Sequence, residues 1–412
     1  MLEYVDEARE AEFLQSGLAR PFDGVVDIRR HLATLLARVN GTPFAPEAIV
    51  RQQRVFPMLG TPIVDRNIRF MATIGKEDLG ETDRLRQLIA AGIDIFRINS
   101  ARDRLESVNA LCSAVSHASK ASGRDARIFI DLEGPKLRTS AVSGTAGAIK
   151  VRAGDELVLQ GSPDHVIDRF DGDPLPTVSV PSLPETLPEG ARIVFDDGKA
   201  EGIIIGKRPH GFLLRVTFPE RGSATMRSSR SVNLPESPHP EFTISQHDRE
   251  MISLAPKQAD ILSISFARTA EDVDRVITDM PSRTGPPGVV VKIENGSAVK
   301  DCVGILLAAM KREEAGMLIA RGDLAAECGF ERLPALQERL FLLARAAAVP
   351  VFIATGVLDQ MTRKGRRSRA EMIDVASALR ADCVMLNRGD GIAESLLVLQ
   401  QIHQFLISGR TL

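Results

Sequence analysis

From residue 68 onward, short apolar runs alternate with longer stretches whose apolar positions recur every three or four residues. The runs are too brief for helices and read as buried strands, while the stretches read as amphipathic helices. Strands are expected at Ile68–Ile74, Ile93–Ile98, Arg127–Leu132, Asp260–Ser265, Val289–Ile293, Met317–Ala320, Val351–Thr355 and Cys383–Leu386. Helices are expected at Thr82–Ala91, Leu105–Ala121, Gln246–Lys257, Ala270–Asp279, Ser297–Lys311, Leu333–Ala347, Arg369–Leu379 and Ile392–Leu406. Eight strands, each with a helix partner, predict an α/β fold: a parallel (β/α)8 TIM barrel rather than an open sheet.

One interval breaks the alternation. About 125 residues separate the third expected strand from the fourth, far beyond an ordinary connection. Between Ser140 and Pro235 the pattern becomes short β runs, Glu156–Gln160, Arg192–Phe195, Gly202–Ile205 and Phe212–Thr217, broken by Gly, Pro and Asp. The stretch from Pro174 to Pro188 reads as a loop. The expected organisation is a barrel catalytic domain over residues 67–139 and 236–412, with an inserted all-β lid domain over 140–235. Residues 1–66 read as an N-terminal helical extension, with helices at Tyr4–Gly17 and Val25–Val39, packed on the barrel exterior.

Composition narrows the partners. With 412 residues and 44% hydrophobic content the chain can fill a sizeable core. Lys and Arg total 52 against 54 Asp and Glu, so a net charge of -2 leaves no electrostatic footprint for nucleic acid or an anionic membrane. Small-molecule partners are expected. No long apolar run suggests a membrane span, and the acidic start Met1-Leu2-Glu3-Tyr4-Val5-Asp6-Glu7 is unlike a targeting signal, so a cytoplasmic location is expected. Cys112, Cys302, Cys328 and Cys383 show no Cys-x-x-Cys spacing, which argues for buried thiols over zinc or disulfides.

Candidate chemistry gathers at two strand ends. Lys292-Ile293-Glu294-Asn295 follows the apolar run Gly288–Val291, and Arg321-Gly322-Asp323-Leu324 follows Gly316–Ala320. Barrels of this class place their chemistry at the carboxyl ends of the strands. Glu294 and Asp323 can share one divalent cation, leaving most of its coordination to substrate oxygens and water. The alternative is a pair of surface acids bonded to nearby arginines.

Ten segments in order resemble the pyruvate kinase family. They are Thr73-Ile74-Gly75, Arg97-Ile98-Asn99, Asp131-Leu132-Glu133-Gly134-Pro135-Lys136-Leu137-Arg138-Thr139, Asp196-Asp197-Gly198, Val232-Asn233-Leu234-Pro235, Ser265-Phe266, Lys292-Ile293-Glu294-Asn295, Ala320-Arg321-Gly322-Asp323-Leu324, Ala354-Thr355 and Arg369-Ala370-Glu371. The resemblance implies metal-dependent phosphoryl transfer between phosphoenolpyruvate and ADP, or between ATP and a pyruvate-like acceptor. It further implies that Lys292 and Arg97 face the phosphoryl group and that Glu294 and Asp323 hold Mg2+ or Mn2+. Backbone amides at Gly322 and Asp323 would receive the substrate carboxylate, and Thr355 would stand beside the carbon that is protonated. Nucleotide contacts fall by the same resemblance to Arg138, Arg230 and Asp197; Asp196-Asp197-Gly198 equally suits an ordinary hairpin turn.

Departures from the family pattern bear on the substrate and the ions. Asn99-Ser100-Ala101-Arg102 stands where the family commonly reads Asn-Phe-Ser-His, Glu133 replaces a usual lysine, and Gly356-Val357 replaces Gln-Met. Asn387-Arg388-Gly389-Asp390 replaces Ser-Gly-Glu-Thr. Lys136 matches potassium-independent members, so its ammonium is expected to substitute for K+, held by Asn99 and Asp131, and K+ is not expected to be required. Gly356, Ala101 and Glu133 also keep open a specialised-pathway kinase that uses ATP on a bulkier acceptor. From other classes come a metal-dependent pyruvate aldolase or lyase and a non-catalytic sensor. The family's C-terminal regulatory domain is not matched, which implies no response to a sugar bisphosphate, and a homodimer is expected near Arg369-Ala370-Glu371.

Overall fold

The computed structural model describes residues 57–62, 66–143, 147–161, 175–208, 211–235, 242–280 and 287–408. The expected helices Tyr4–Gly17 and Val25–Val39 lie outside these residues. Eight parallel strands close a barrel: Arg69–Ile74, Ile95–Asn99, Arg127–Asp131, Ile261–Ile264, Gly288–Ile293, Ala315–Ala320, Val351–Ala354 and Cys383–Leu386, the first pairing with both the second and the last.

Alternation along each strand separates two cores. Phe70, Ala72 and Ile74, Phe96 and Ile98, Ile128 and Ile130, and Val289, Val291 and Ile293 pack outward against the helices. Met71, Ile95, Phe129, Ile261, Val290, Leu318 and Phe352 fill the barrel interior, joined at one end by Met58 and Leu59. Because side chains alternate with period 2, Thr73, Arg97, Asp131, Ser263 and Lys292 share the inward face with that second set. They differ only in lying nearer the carboxyl ends. Register aligns them, with Thr73 beside Arg97 and Asp131 beside Ser263. A polar cluster at the barrel mouth therefore follows from strand period and register.

Helices around the barrel include Thr82–Ala91, Leu105–Ser122, Gln246–Gln258, Ala270–Asp279, Leu333–Ala346, Arg369–Ala378 and Ile392–Ser408. Two glycines, Gly92 and Gly123, end the first two of these in the left-handed region, with their amides bonded back to the last turn. The expected helix Ser297–Lys311 is instead two, Gly296–Lys300 and Cys302–Ala309. Asp301 interrupts it, its backbone leaving helical geometry while its carboxylate accepts the Ala270 amide at 2.8 Å. Two short helices that the pattern does not reveal, Arg321–Cys328 and Asp359–Lys364, follow the sixth and seventh barrel strands.

Between the third and fourth barrel strands, a seven-stranded sheet runs from Ala141–Val142 to Val232–Asn233, beside a two-stranded sheet of Ala148–Val151 and Ala224–Arg227. Its own core contains Leu157, Leu159, Val178, Ile193, Phe195, Leu214 and Val216. The stretch expected to be a Pro-rich loop contains the buried strand Thr177–Ser179, which pairs with Glu156–Gln160 and Ala141–Val142. Thr-Val-Ser is a good strand sequence, and burial between two partners outweighs the flanking prolines. Cys112, Cys302 and Cys383 are buried thiols and Cys328 is half-buried. No described helix is long and apolar enough to cross a membrane.

Candidate active site

Asp131 organises the barrel mouth. Fully buried at the end of the third strand, it accepts Arg97 Nε at 2.9 Å and a second, short bond from Arg97 Nη2. Its other oxygen accepts from Ser263 and, at 3.2 Å, from Ser265, and lies 3.3 Å from Lys292 Nζ. Burial alone would raise its pKa, but the charges of Lys292 and Arg97 together with these hydrogen bonds hold it well below the usual carboxylate range. Arg97 Nη1 also reaches Thr73 Oγ1 at 3.1 Å.

Lys292 sits between two carboxylates. Its ammonium donates to Ser265 Oγ at 2.9 Å and stands 3.3 Å from both Asp131 and Glu294. Burial opposes this charge, yet Asp131 and Glu294 outweigh burial and raise its pKa. Glu294 is wholly buried. Its Oε1 accepts the Phe266 amide at 2.6 Å, while Oε2 lies 3.3 Å from Lys292 without receiving a hydrogen bond. Burial pushes the Glu294 pKa up against the pull of Lys292.

Asp323 lies in the first turn of the helix Arg321–Cys328, so the Arg321-Gly322-Asp323 segment is a helix start rather than a free turn. Its Oδ1 accepts Lys136 Nζ at 2.6 Å. Lys136 also lies over the Phe266 ring, 5.0 Å from its centre. The charges of Asp323 and Lys136 both act on Glu294, so the two acids share one electrostatic environment. Gly322 is required by close approach: a Cβ there would come 2.7 Å from Thr355 Cγ2. Thr355 itself has φ +70°, strained for a β-branched residue. Arg321 holds it, donating Nε and Nη2 to the Thr355 carbonyl at 3.0 and 2.9 Å while gripping Asp374 through two further bonds.

The other residues singled out from sequence divide. Arg138, Arg230 and Asp197 lie where the inserted sheet meets the barrel. Arg138 Nε pairs with Glu133 Oε1 at 3.3 Å, and Arg138 bridges Ser231 through the backbone. Arg230 Nη1 is 3.8 Å from Asp196 Oδ1, and Asp197 Oδ1 accepts Ser231 Oγ at 2.8 Å within a turn where both aspartates have positive φ. Lys136 is not held by Asn99 or Asp131. Asn99 Oδ1 accepts the Ala101 amide at 3.1 Å, and Asp131 is occupied by Arg97, Lys292 and two serines, which leaves Asp323 as the partner with capacity for an ammonium.

Among the described residues neither Glu294 nor Asp323 pairs with an arginine; both face lysines. Ser263, Asp374 and Glu327 are site residues that sequence reasoning does not single out. Glu327 lies one helical turn beyond Asp323, a spacing that flags it once the helix is known. Asp374 carries no comparable signal, because only the fold brings it to Arg321.

Comparisons with known proteins complete the picture. The family model of the pyruvate kinase barrel domain matches residues 65–393. Pyruvate kinase 2 of Synechocystis is 29% identical over 343 residues, covering 81% of this chain and 55% of that protein. Pyruvate kinase of Geobacillus stearothermophilus is 29% identical over 370 residues, covering 84% and 59%. Pyruvate kinase of Aeropyrum pernix is 31% identical over 324 residues, covering 77% and 65%. The chain thus spans little more than half to two thirds of these relatives.

Proposed function

The chain belongs to the pyruvate kinase family, and we propose that it transfers a phosphoryl group between phosphoenolpyruvate and ADP, or from ATP to a pyruvate-like acceptor. The observation that carries this reading is the cluster at the barrel mouth, where Arg97 and Lys292 flank Asp131 and Lys292 stands 3.3 Å from Glu294. A loose phosphoryl-transfer transition state spreads negative charge over several oxygens, so positioned cations can stabilise it without covalent chemistry.

Glu294 and Asp323 would hold Mg2+ or Mn2+. The fit rests on Glu294 Oε2, a fully buried carboxylate oxygen that receives no hydrogen bond although Lys292 Nζ stands 3.3 Å away, so it keeps acceptor capacity for a metal ion. Two carboxylates would leave most of the shell of a Mg2+ ion to substrate and water oxygens. When bound, that ion neutralises charge on the transferring group and on the substrate.

The chain's own residues supply the rest. Arg97 is the forked donor and Lys292 the point charge, each pre-oriented by Asp131. Free amides in the first turn of Arg321–Cys328, at Gly322 and Asp323, receive the substrate carboxylate. Thr355, packed on Gly322, stands beside the carbon that gains a proton. Arg138, Arg230 and Asp197 serve the nucleotide phosphates. One observation favours a bulkier acceptor as a second reading: beyond its chain neighbours, a Cβ at Gly356 would meet only Arg321 Nη2, at 3.7 Å, so there is space directly after Thr355.

A lactate dehydrogenase-coupled assay with phosphoenolpyruvate, ADP and Mg2+ tests the proposal. The wild type is expected to exceed a Lys292→Met control by roughly 10²- to 10³-fold, the usual cost of one transition-state donor. Pyruvate formation no faster than that control would overturn it.

A further inference from the structure

We infer that the inserted sheet is seated on the helix Arg321–Cys328 by a two-point clasp, Asn233 on Glu327 and Gly198 on Phe330, which makes Asn233, Glu327 and Phe330 positioning residues for the nucleotide. This rests on the phosphoryl-transfer reading above and adds what sets the lid's place over the site.

The first point is a hydrogen bond between the two parts of the chain. Asn233, 3% exposed at the last strand of the inserted sheet, donates Nδ2 to Glu327 Oε1 at 3.0 Å. Glu327 is itself buried and lies on the helix that carries Gly322 and Asp323. The second point is steric. Phe330, 56% exposed just beyond that helix, lies so close to the lid turn that a Cβ on Gly198 would sit 3.0 Å from its Cζ. Gly198 has φ +90°, so the turn needs glycine for its backbone as well as for this approach. The first point borders a cleft lined by Lys136, Asn233, Phe266, Arg268, Asn295 and Glu327.

Both clasp points belong to one rigid piece of the lid. Ser231 Oγ donates to Asp197 Oδ1 at 2.8 Å, and the Asp196 amide donates to the Ser231 carbonyl at 2.9 Å. The turn Asp196–Gly198 and the strand entered through Arg230 therefore move together, carrying the nucleotide candidates Asp197 and Arg230. Arg97, Lys292 and Thr355 stand on or directly after barrel strands and do not depend on the clasp. Releasing it should displace the nucleotide contacts and leave the carboxylate site in place.

Phe330→Ala and Asn233→Ala test this by steady-state kinetics and by calorimetry of ADP with Mg2+. Loss of either point is expected to raise KM and Kd for ADP about fivefold, as for one hydrogen bond or small contact, with kcat and the KM for phosphoenolpyruvate within about twofold of wild type. Glu327→Gln, which still accepts from Asn233, should keep the wild-type Kd for ADP, whereas Glu327→Ala should not. Unchanged ADP affinity in both Phe330→Ala and Asn233→Ala overturns the clasp. Equal losses for both substrates overturn it too, because they mark a general structural role. A wild type that makes no pyruvate would instead sink the phosphoryl-transfer reading, while calorimetry would still report on the clasp.

Discussion

Lys136 Nζ stands 2.6 Å from Asp323 Oδ1, so a lysine from the loop after the third barrel strand is bonded to an acid at the start of the helix after the sixth. The ammonium bonds one oxygen of the acid that would also hold the divalent metal, and with no hydroxyl at Ala101 for a monovalent ion, Lys136 would supply the charge that K+ otherwise brings.

Activity is accordingly expected to be equal in potassium, sodium and tetramethylammonium salts at matched ionic strength. Lys136→Met should lower kcat by about 10-fold or more through loss of a site charge. A several-fold activation of the wild type by K+ in the coupled assay would contradict this.

Asp131 gives a pH prediction. Its folded pKa is depressed below its unfolded value, so its stabilisation is present above the unfolded pKa and is lost as pH falls through the folded one. Urea unfolding of the wild type should weaken below about pH 4, and Asp131→Asn should remove that part of the acid sensitivity. It should also lower kcat, because Arg97 and Lys292 lose their shared anchor. An unchanged acid limb in the variant would count against the assignment.

Glu327 predicts the opposite slope. Burial raises its pKa from 4.5 to about 7, despite the Asn233 hydrogen bond. Stability from the protonated form is complete below the unfolded pKa and is lost as pH rises through 7. Glu327→Gln is therefore expected to be more stable than wild type at pH 8, by up to about 3 kcal/mol, with the difference closing near pH 4. Thermal unfolding at the two pH values measures it.

Arg321 and Gly322 support Thr355 from two sides. Arg321→Met breaks a largely buried pair with Asp374 and frees the Thr355 carbonyl, at an expected cost of about 2–4 kcal/mol. Gly322→Ala should cost about 1–3 kcal/mol through contact with Thr355 Cγ2. Both should lower kcat. Wild-type kcat in a stably folded Arg321→Met would show that Thr355 holds its strained backbone unaided.

Several elements are legible in the amino-acid pattern alone. The expected strand Cys383–Leu386 and helices Thr82–Ala91 and Ala270–Asp279 match the observed bounds, because each is a strongly patterned segment whose burial the pattern itself encodes. Lys292 and Glu294 fall at a strand end for the same reason. The helix Arg321–Cys328 is not legible in this way, because its residues are buried on several sides and show little amphipathic contrast. Asp301 breaks a helix for a partner, the Ala270 amide, that lies 31 residues away.

The barrel, the place of the β-rich insertion and the charged strand ends are written in the residue pattern, because period and local composition are properties of neighbouring residues. Which charges meet depends on the folded chain. Lys136 and Asp323 are 187 residues apart, and Asn233 and Glu327 are 94 apart. Nothing local distinguishes Asn99, Asp131 and Asp323 as partners for an ammonium. Barrel closure and strand register did so, by giving Asp131 to Arg97 and Lys292, Asn99 to its own turn, and Asp323 to Lys136.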